Sequence, residues 1–66
     1  MYLKVNGESV DIKDGSNIED LLNALEIPKT NLAVELNGKV IPNSELLKRP
    51  LQDMDVLEIV RAIGGG

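Results

Sequence analysis

Short stretches that alternate between apolar and polar residues flank two Asn-Gly pairs, Asn6-Gly7 and Asn37-Gly38. Asn-Gly is the preferred pair for the two-residue type I′ turn of a β-hairpin, so the pattern predicts two hairpins. Pro42 follows the short stretch Lys39-Val40-Ile41 and places it at a sheet edge, because proline donates no hydrogen bond to a neighbouring strand. The alternating apolar positions of the other strands are Met1, Leu3, Val5, Val10, Ile12, Leu32, Val34 and Leu36.

A helix is predicted between the two hairpins. Apolar residues at i, i+3, i+4 and i+7 form one face of this helix, which is typical of packing against a hydrophobic core. Ser16 and Glu19 have the spacing of an N-terminal capping box, and Pro28 prevents the helix from continuing. The apolar face consists of Ile18, Leu21, Leu22 and Leu25.

Residues 43–55 show no regular pattern. Asn43 or Ser44 is a candidate N-cap for a single helical turn that carries Leu46 and Leu47. Pro50 ends this turn, and the polar residues that follow it predict a second, irregular turn before the last strand.

The last strand is predicted at about Val56 to Val60. Leu57 and Ile59 lie on its core face, whereas Val56 and Val60 lie on the opposite face. The element order β-β-α-β-β-β predicts an α+β domain in which one helix covers one face of a five-stranded sheet. We assign residues 1–60 to this domain and residues 61–66 to a flexible C-terminal tail; the strand order does not follow from the sequence pattern.

The composition restricts the chemistry that the side chains can perform. The 66 residues make one domain, and they include neither cysteine nor histidine. Disulfides, thiol nucleophiles, Cys/His metal sites and histidine acid–base catalysis are therefore excluded. Carboxylates are plentiful, but a core of this size offers no pocket that would raise the pKa of one of them for catalysis. We therefore expect a protein that is not an enzyme and that binds neither a metal nor a cofactor.

The charge and hydropathy exclude two further classes of partner. A net charge of −4 argues against nucleic-acid binding, which requires clustered lysine and arginine. No apolar run approaches the ~20 residues of a membrane span. Because the first predicted strand begins at Met1, we expect no leader peptide and a cytoplasmic location.

The end of the chain is the remaining candidate for chemistry. Gly64, Gly65 and Gly66 carry no side chains, so a backbone of this composition can thread a channel that a Cβ atom would block. The six residues 61–66 reach about 20 Å when extended, enough to present a terminal carboxylate inside the active site of another protein. From the residues alone, this carrier interpretation and a frayed, inert tail remain equally open. The candidate docking residues are Val56 and Val60, which precede the tail, and Ile63 within it.

The whole chain resembles the ThiS family of sulfur carriers in thiamine biosynthesis. The hairpin sequence Ala33-Val34-Glu35-Leu36-Asn37-Gly38 and the end Glu58-Ile59-Val60-Arg61-Ala62-Ile63-Gly64-Gly65-Gly66 carry most of this resemblance. Weaker matches are Val5-Asn6-Gly7-Glu8, Asp20-Leu21-Leu22, Val40-Ile41-Pro42 and Ser44-Glu45.

This resemblance implies a ubiquitin-like β-grasp fold with a mixed sheet, in which the first and last strands lie parallel and side by side. It also implies that a ThiF-like adenylyltransferase activates the Gly66 carboxylate with ATP and magnesium. Sulfur from a donor protein then replaces AMP to give a thiocarboxylate, which the thiazole synthase ThiG uses. ATP and magnesium belong to the activating partner and are not bound cofactors of this chain.

Three positions depart from the residues that are typical of the family. Asn43 stands where arginine is usual, Leu46 where an aromatic residue is usual, and Met54 where glycine is usual. The last departure leaves the geometry of the turn before the final strand open, because methionine lacks the freedom of glycine to adopt a positive φ.

Other functions remain as alternatives. Carriers similar to MoaD, or those that serve tRNA thiolation, share the fold, but MoaD-like chains are usually longer and end in Gly-Gly. A ubiquitin-like modifier would end in an amide bond to lysine instead of a thioacid. In an interaction module with an inert tail, truncation of the tail would have no effect.

Overall fold

Residues 1–61 are described by a computed structural model of the chain. Five strands and one α-helix follow the predicted order, with a single turn of 3₁₀-helix before the last strand. The elements are β1 Tyr2–Val5, β2 Glu8–Asp11, α1 Ile18–Ala24, β3 Leu32–Leu36, β4 Lys39–Val40, the 3₁₀-helix Leu46–Lys48, and β5 Val56–Arg61.

The strands form one mixed sheet in the order β2-β1-β5-β3-β4. Each hairpin is antiparallel, β5 is antiparallel to β3, and β5 is parallel to β1. The short strand β4 lies at an edge, as Pro42 predicts. The parallel pairing of the first and last strands and the single covering helix confirm the β-grasp fold that the family resemblance implies.

Both hairpins close through the predicted type I′ turns. Asn6 and Gly7 have φ angles of 50° and 84°, and Asn37 and Gly38 have φ angles of 52° and 86°. Positive φ at both central residues defines this turn and matches the right-handed twist of the strands. Asparagine tolerates the left-handed region, and glycine occupies it without steric penalty.

The core lies between helix α1 and one face of the sheet. Ile18, Leu21 and Leu22 are fully buried against it, as the helical periodicity predicts. Leu25 is the exception, because the helix ends at Ala24 and leaves Leu25 at the C-cap with 36% of its surface exposed. The other buried apolar residues are Leu3, Val5, Leu32, Val34, Leu36, Ile41, Leu46, Leu51, Leu57 and Ile59.

The predicted capping box at Ser16 and Glu19 is wrong by one residue. Asn17 is the N-cap: its Oδ1 accepts from the Asp20 amide at 2.8 Å, and the Asp20 carboxylate accepts from the Asn17 amide at 2.9 Å. Two backbone hydrogen bonds hold the chain before the helix against residues 49–51. The Ile18 amide donates to the Arg49 carbonyl at 2.9 Å, and the Ser16 carbonyl accepts from the Leu51 amide at 3.0 Å. These bonds place the helix start at Ile18, which directs the apolar face into the core.

The 3₁₀-helix also begins differently from the prediction. Neither Asn43 nor Ser44 caps it, because the N-cap is Glu45 and no side chain bonds to the helix start. The carbonyl groups of Pro42 and Asn43 accept from the amides of Glu45 and Leu46 instead. Leu46 is nevertheless buried, so the turn still contributes a leucine to the core.

The amino group of Met1 is hydrogen-bonded at the end of the sheet opposite to the C-terminus of β5. It donates to the Ile12 carbonyl at 2.7 Å and to Asp14 Oδ1 at 2.9 Å. The hydrogen bond to Asp14 raises the pKa of the amino group above its usual value.

Neither helix in residues 1–61 combines the length and apolar character that a membrane crossing requires.

The turn before β5 has a positive φ without a glycine. Met54 has a φ of 73°, its amide donates to the Tyr2 carbonyl at 2.6 Å, and its side chain is 74% exposed. A side chain in the left-handed region crowds its own backbone, so the residue that departs from the family pattern is held in a strained conformation.

Replacing this residue with the family's usual one should therefore stabilise the protein. Met54→Gly is expected to raise the free energy of unfolding by about 1 kcal/mol, because relief of the strain outweighs the added flexibility of the unfolded chain. Chemical denaturation measures the change. Met54→Ala is the matched control: it removes the same exposed side chain without relieving the backbone, so a gain as large as that of Met54→Gly would contradict the explanation.

Candidate functional site at the C-terminal end of β5

The central strand of the sheet leads directly to the predicted tail. β5 pairs with β1 on one side and β3 on the other, and its core face carries Leu57 and Ile59. The strand extends one residue beyond the prediction, because Arg61 pairs with Leu32. Residue 62 and those that follow therefore start from a strand that is anchored in the core.

An asparagine from the second hairpin turn holds the start of β5. Asn37 donates its backbone amide to the Val56 carbonyl at 2.8 Å, and its Oδ1 accepts from the Val56 amide at 2.9 Å. Its Nδ2 donates to Asp55 Oδ1 at 3.0 Å. The turn residue thus fixes the point at which the chain enters the sheet.

The asparagine of the first hairpin turn contacts the other half of β5. The Asn6 amide donates to the Leu57 carbonyl at 2.9 Å. The Asn6 side chain accepts from the Ile59 amide at 2.7 Å and donates to the Ile59 carbonyl at 3.2 Å. This contact was not predicted from the sequence, since an asparagine in a type I′ turn is already explained by the turn itself.

The outer face of β5 is exposed, as the alternation predicts. Val56 and Val60 are 44% and 62% exposed on the face opposite the helix. Between them, Glu58 stands directly opposite Glu35 of β3, a like-charge arrangement that disfavours pairing. The predicted faces of β5 are thus confirmed, whereas the docking role of the two valines stays a prediction.

The remaining predicted site residues lie outside the described residues. These are Ile63, Gly64, Gly65 and Gly66.

The part of the chain that the structure describes contains potential metal-ligating side chains and a groove. Within residues 1–61, no three His, Cys, Asp or Glu side chains come together as metal ligands. A groove of about 580 Å³ is lined by polar residues that include Asn37, Lys48 and Asp55. Because Asn37 and Asp55 lie at the start of β5, this groove lies at the end of the sheet opposite to the C-terminus of that strand.

Comparison with protein families matches residues 3–66 to the ThiS family. The chain is 37% identical to the sulfur carrier protein ThiS of Bacillus subtilis over 65 residues, which cover 97% of this chain and 98% of that protein. It is also 38% identical over all 66 residues to a thiazole synthase of Paramagnetospirillum magneticum, but it spans only 20% of the length of that protein.

A solved structure shares the fold over the full length. The crystal structure of the thiamine biosynthesis protein ThiS of Geobacter metallireducens superposes with a TM-score of 0.81 at 32% identity, and the match covers 100% of both chains.

Proposed function

This chain belongs to the ThiS family, and we propose that it is a sulfur carrier of thiamine biosynthesis which holds its sulfur on the carboxylate of Gly66. The observation that carries the proposal is the extent of the family match. It continues through residue 66 and so includes the three glycines that the described strand β5 leads to.

The proposed reaction needs activation by another protein. A carboxylate at neutral pH is ionised and a poor electrophile. A ThiF-like adenylyltransferase would join it to AMP from ATP, with release of pyrophosphate. A persulfide on a donor protein would then displace AMP and form an acyl disulfide with Gly66. A second thiol would break the S–S bond, which leaves a thiocarboxylate on Gly66 and a disulfide between the two thiols. Magnesium on the partner neutralises the phosphates during the first step.

The chain itself would contribute two features to this reaction: the strand β5, which is held in the sheet, and the three terminal glycines. Central pairing and burial of Leu57 and Ile59 fix β5 up to Arg61, so the partner meets a defined starting point for the tail. Three residues without a Cβ then present the carboxylate with a minimal cross-section. The absence of cysteine and histidine leaves the terminus as the group that can hold sulfur.

A thiazole synthase is the proposed acceptor of the sulfur. Two thiazole synthases contain a region similar to this whole chain, which makes up about a fifth of their length. A carrier and an acceptor that occur in one polypeptide support a direct transfer between them.

The first prediction concerns the terminal atom. Incubation with a ThiF-like enzyme, ATP, magnesium and a sulfide source should add the mass difference of sulfur for oxygen. Fragmentation in the mass spectrometer should place this difference on Gly66. A variant without Gly65 and Gly66 serves as the control, since it should unfold at the same temperature as the wild type and gain no mass. An isopeptide bond to lysine without any thioacid would instead indicate a protein modifier.

A second prediction tests why the end consists of glycine. Gly65→Val adds a β-branched side chain that stiffens and widens the tail. If the tail threads a narrow channel, the rate of adenylation should fall by about 100-fold, the effect expected from misplacement of a reacting group. Gly65→Ala adds a single methyl group, so its rate of adenylation should fall less than that of Gly65→Val. Wild-type rates in the valine variant would show that the partner's active site is open.

A third prediction tests the outer face of β5. Val60→Asp places a charge on a surface that we propose to dock on the activating enzyme, and should weaken binding at least about tenfold, equivalent to ~1.4 kcal/mol. Isothermal titration calorimetry measures this affinity. Val40→Asp makes the same change at a valine that is 68% exposed on the edge strand β4, and should weaken binding less. Equal affinities for both variants and the wild type would place the docking surface elsewhere.

A further inference from the structure

The first hairpin leaves the sheet before its neighbour β5 ends. β1 stops at Val5, and Asn6 turns away with a φ of 50°. The parallel ladder between the two strands therefore has its last main-chain bond from the Asn6 amide to the Leu57 carbonyl. The next peptide groups on this side of β5 belong to Ile59, and β1 has no main-chain partner to offer them.

The side chain of Asn6 fills this gap. Its carboxamide carries the same kinds of group as a peptide, a C=O acceptor and an N–H donor, with a second N–H on the same nitrogen. Both are used on the same residue, since Oδ1 accepts from the Ile59 amide at 2.7 Å and Nδ2 donates to the Ile59 carbonyl at 3.2 Å. The side chain thus continues the ladder by one step after the main chain has turned away.

This extra step lies close to the end of the described strand. From Val60 to Arg61, β5 pairs in register with Ala33 and Leu32 of β3. Ile59 is therefore the last position at which we find β5 held from both sides. A strand held from one side opens more readily at its end than a strand held from both.

We propose that Asn6 is a positioning residue for the carrier reaction: its side chain holds Ile59 and so keeps the end of β5 extended in the direction in which the tail enters the activating enzyme. This inference rests on the function proposed above. Asn6 would act through the main chain of β5, by its two hydrogen bonds to Ile59.

The two hairpin turns provide a matched pair of variants. Asn6→Gly and Asn37→Gly each keep a residue that accepts the positive φ of a type I′ turn, and each removes a carboxamide bound to β5. They differ in position, because Asn37 holds Val56 at the start of the strand and Asn6 holds Ile59 near its end. Both variants should lower the melting temperature to a similar extent.

The measurement is steady-state adenylation of the full-length carrier by a ThiF-like enzyme, with carrier as the varied substrate. Asn6→Gly should raise KM, by up to about fivefold, at unchanged kcat. Loss of one net hydrogen bond raises the ratio of open to closed strand ends by about this factor, which is the upper limit for the loss of carrier that is ready to bind. Asn37→Gly should keep the wild-type KM. If Asn6 had a purely structural role, Asn6→Gly would lower the melting temperature and leave KM at the wild-type value.

Two further measurements test the proposal even if Asn6→Gly folds poorly. Asn6→Asp retains an acceptor for the Ile59 amide but loses the donor, so its KM should lie between those of wild type and Asn6→Gly. Hydrogen exchange can be measured by NMR without any partner. The Ile59 amide should exchange faster in Asn6→Gly than in the wild type, and at the wild-type rate in Asn37→Gly.

The outcomes separate this inference from the function on which it rests. If the wild-type carrier is not adenylated, the proposed function fails, and the positioning role fails with it. If the wild type is adenylated and the two glycine variants have the same KM, the positioning role of Asn6 is overturned and the carrier function stands.

Discussion

The two-sided pairing of β5 is the constraint on which the rest of the structure depends. The strand comes last in the chain but occupies the centre of the sheet, between β1 and β3. A parallel neighbour cannot be joined to β1 by a tight turn, so the intervening chain must cross the sheet and return. Helix α1 lies in this crossover and covers the buried residues Leu57 and Ile59. One strand thus links the order of the hairpins, the place of the helix and the exit of the chain.

The hairpin turns contribute more than reversal of the chain direction. Asn6 and Asn37 each accept a positive φ and each direct a carboxamide onto β5 from opposite neighbours. Asparagine is the residue that combines tolerance of this backbone conformation with a donor and an acceptor on a short side chain. By contrast, Met54 adopts a positive φ with an exposed side chain.

The sequence predicts those features that depend on local chemistry. The Asn-Gly turns, the buried faces of α1 and β5 and the edge position of β4 follow from residue type and spacing. The start of α1 does not, because Ser16 with Glu19 and Asn17 with Asp20 have the same spacing, and hydrogen bonds to residues 49–51 decide between them. The strand order and the contact of Asn6 with Ile59 depend on residues more than fifty positions apart. At the candidate site, Gly66 as the reacting residue is a prediction that rests on the family resemblance, whereas spacing alone left the role of the tail undecided.

This arrangement separates stability from chemistry within a very small domain. The core consists of aliphatic side chains that pack around α1 and β5, and it leaves no room for a buried catalytic group. The proposed reacting carboxylate follows the last core residue, Ile59, by seven positions in the sequence, and the two residues before it are glycines. Under the proposed function, stability and reaction would meet at the end of β5, where the last residues held by hydrogen bonds would set the direction of the following chain. The Asn6 side-chain amide would then influence the reaction without taking part in it.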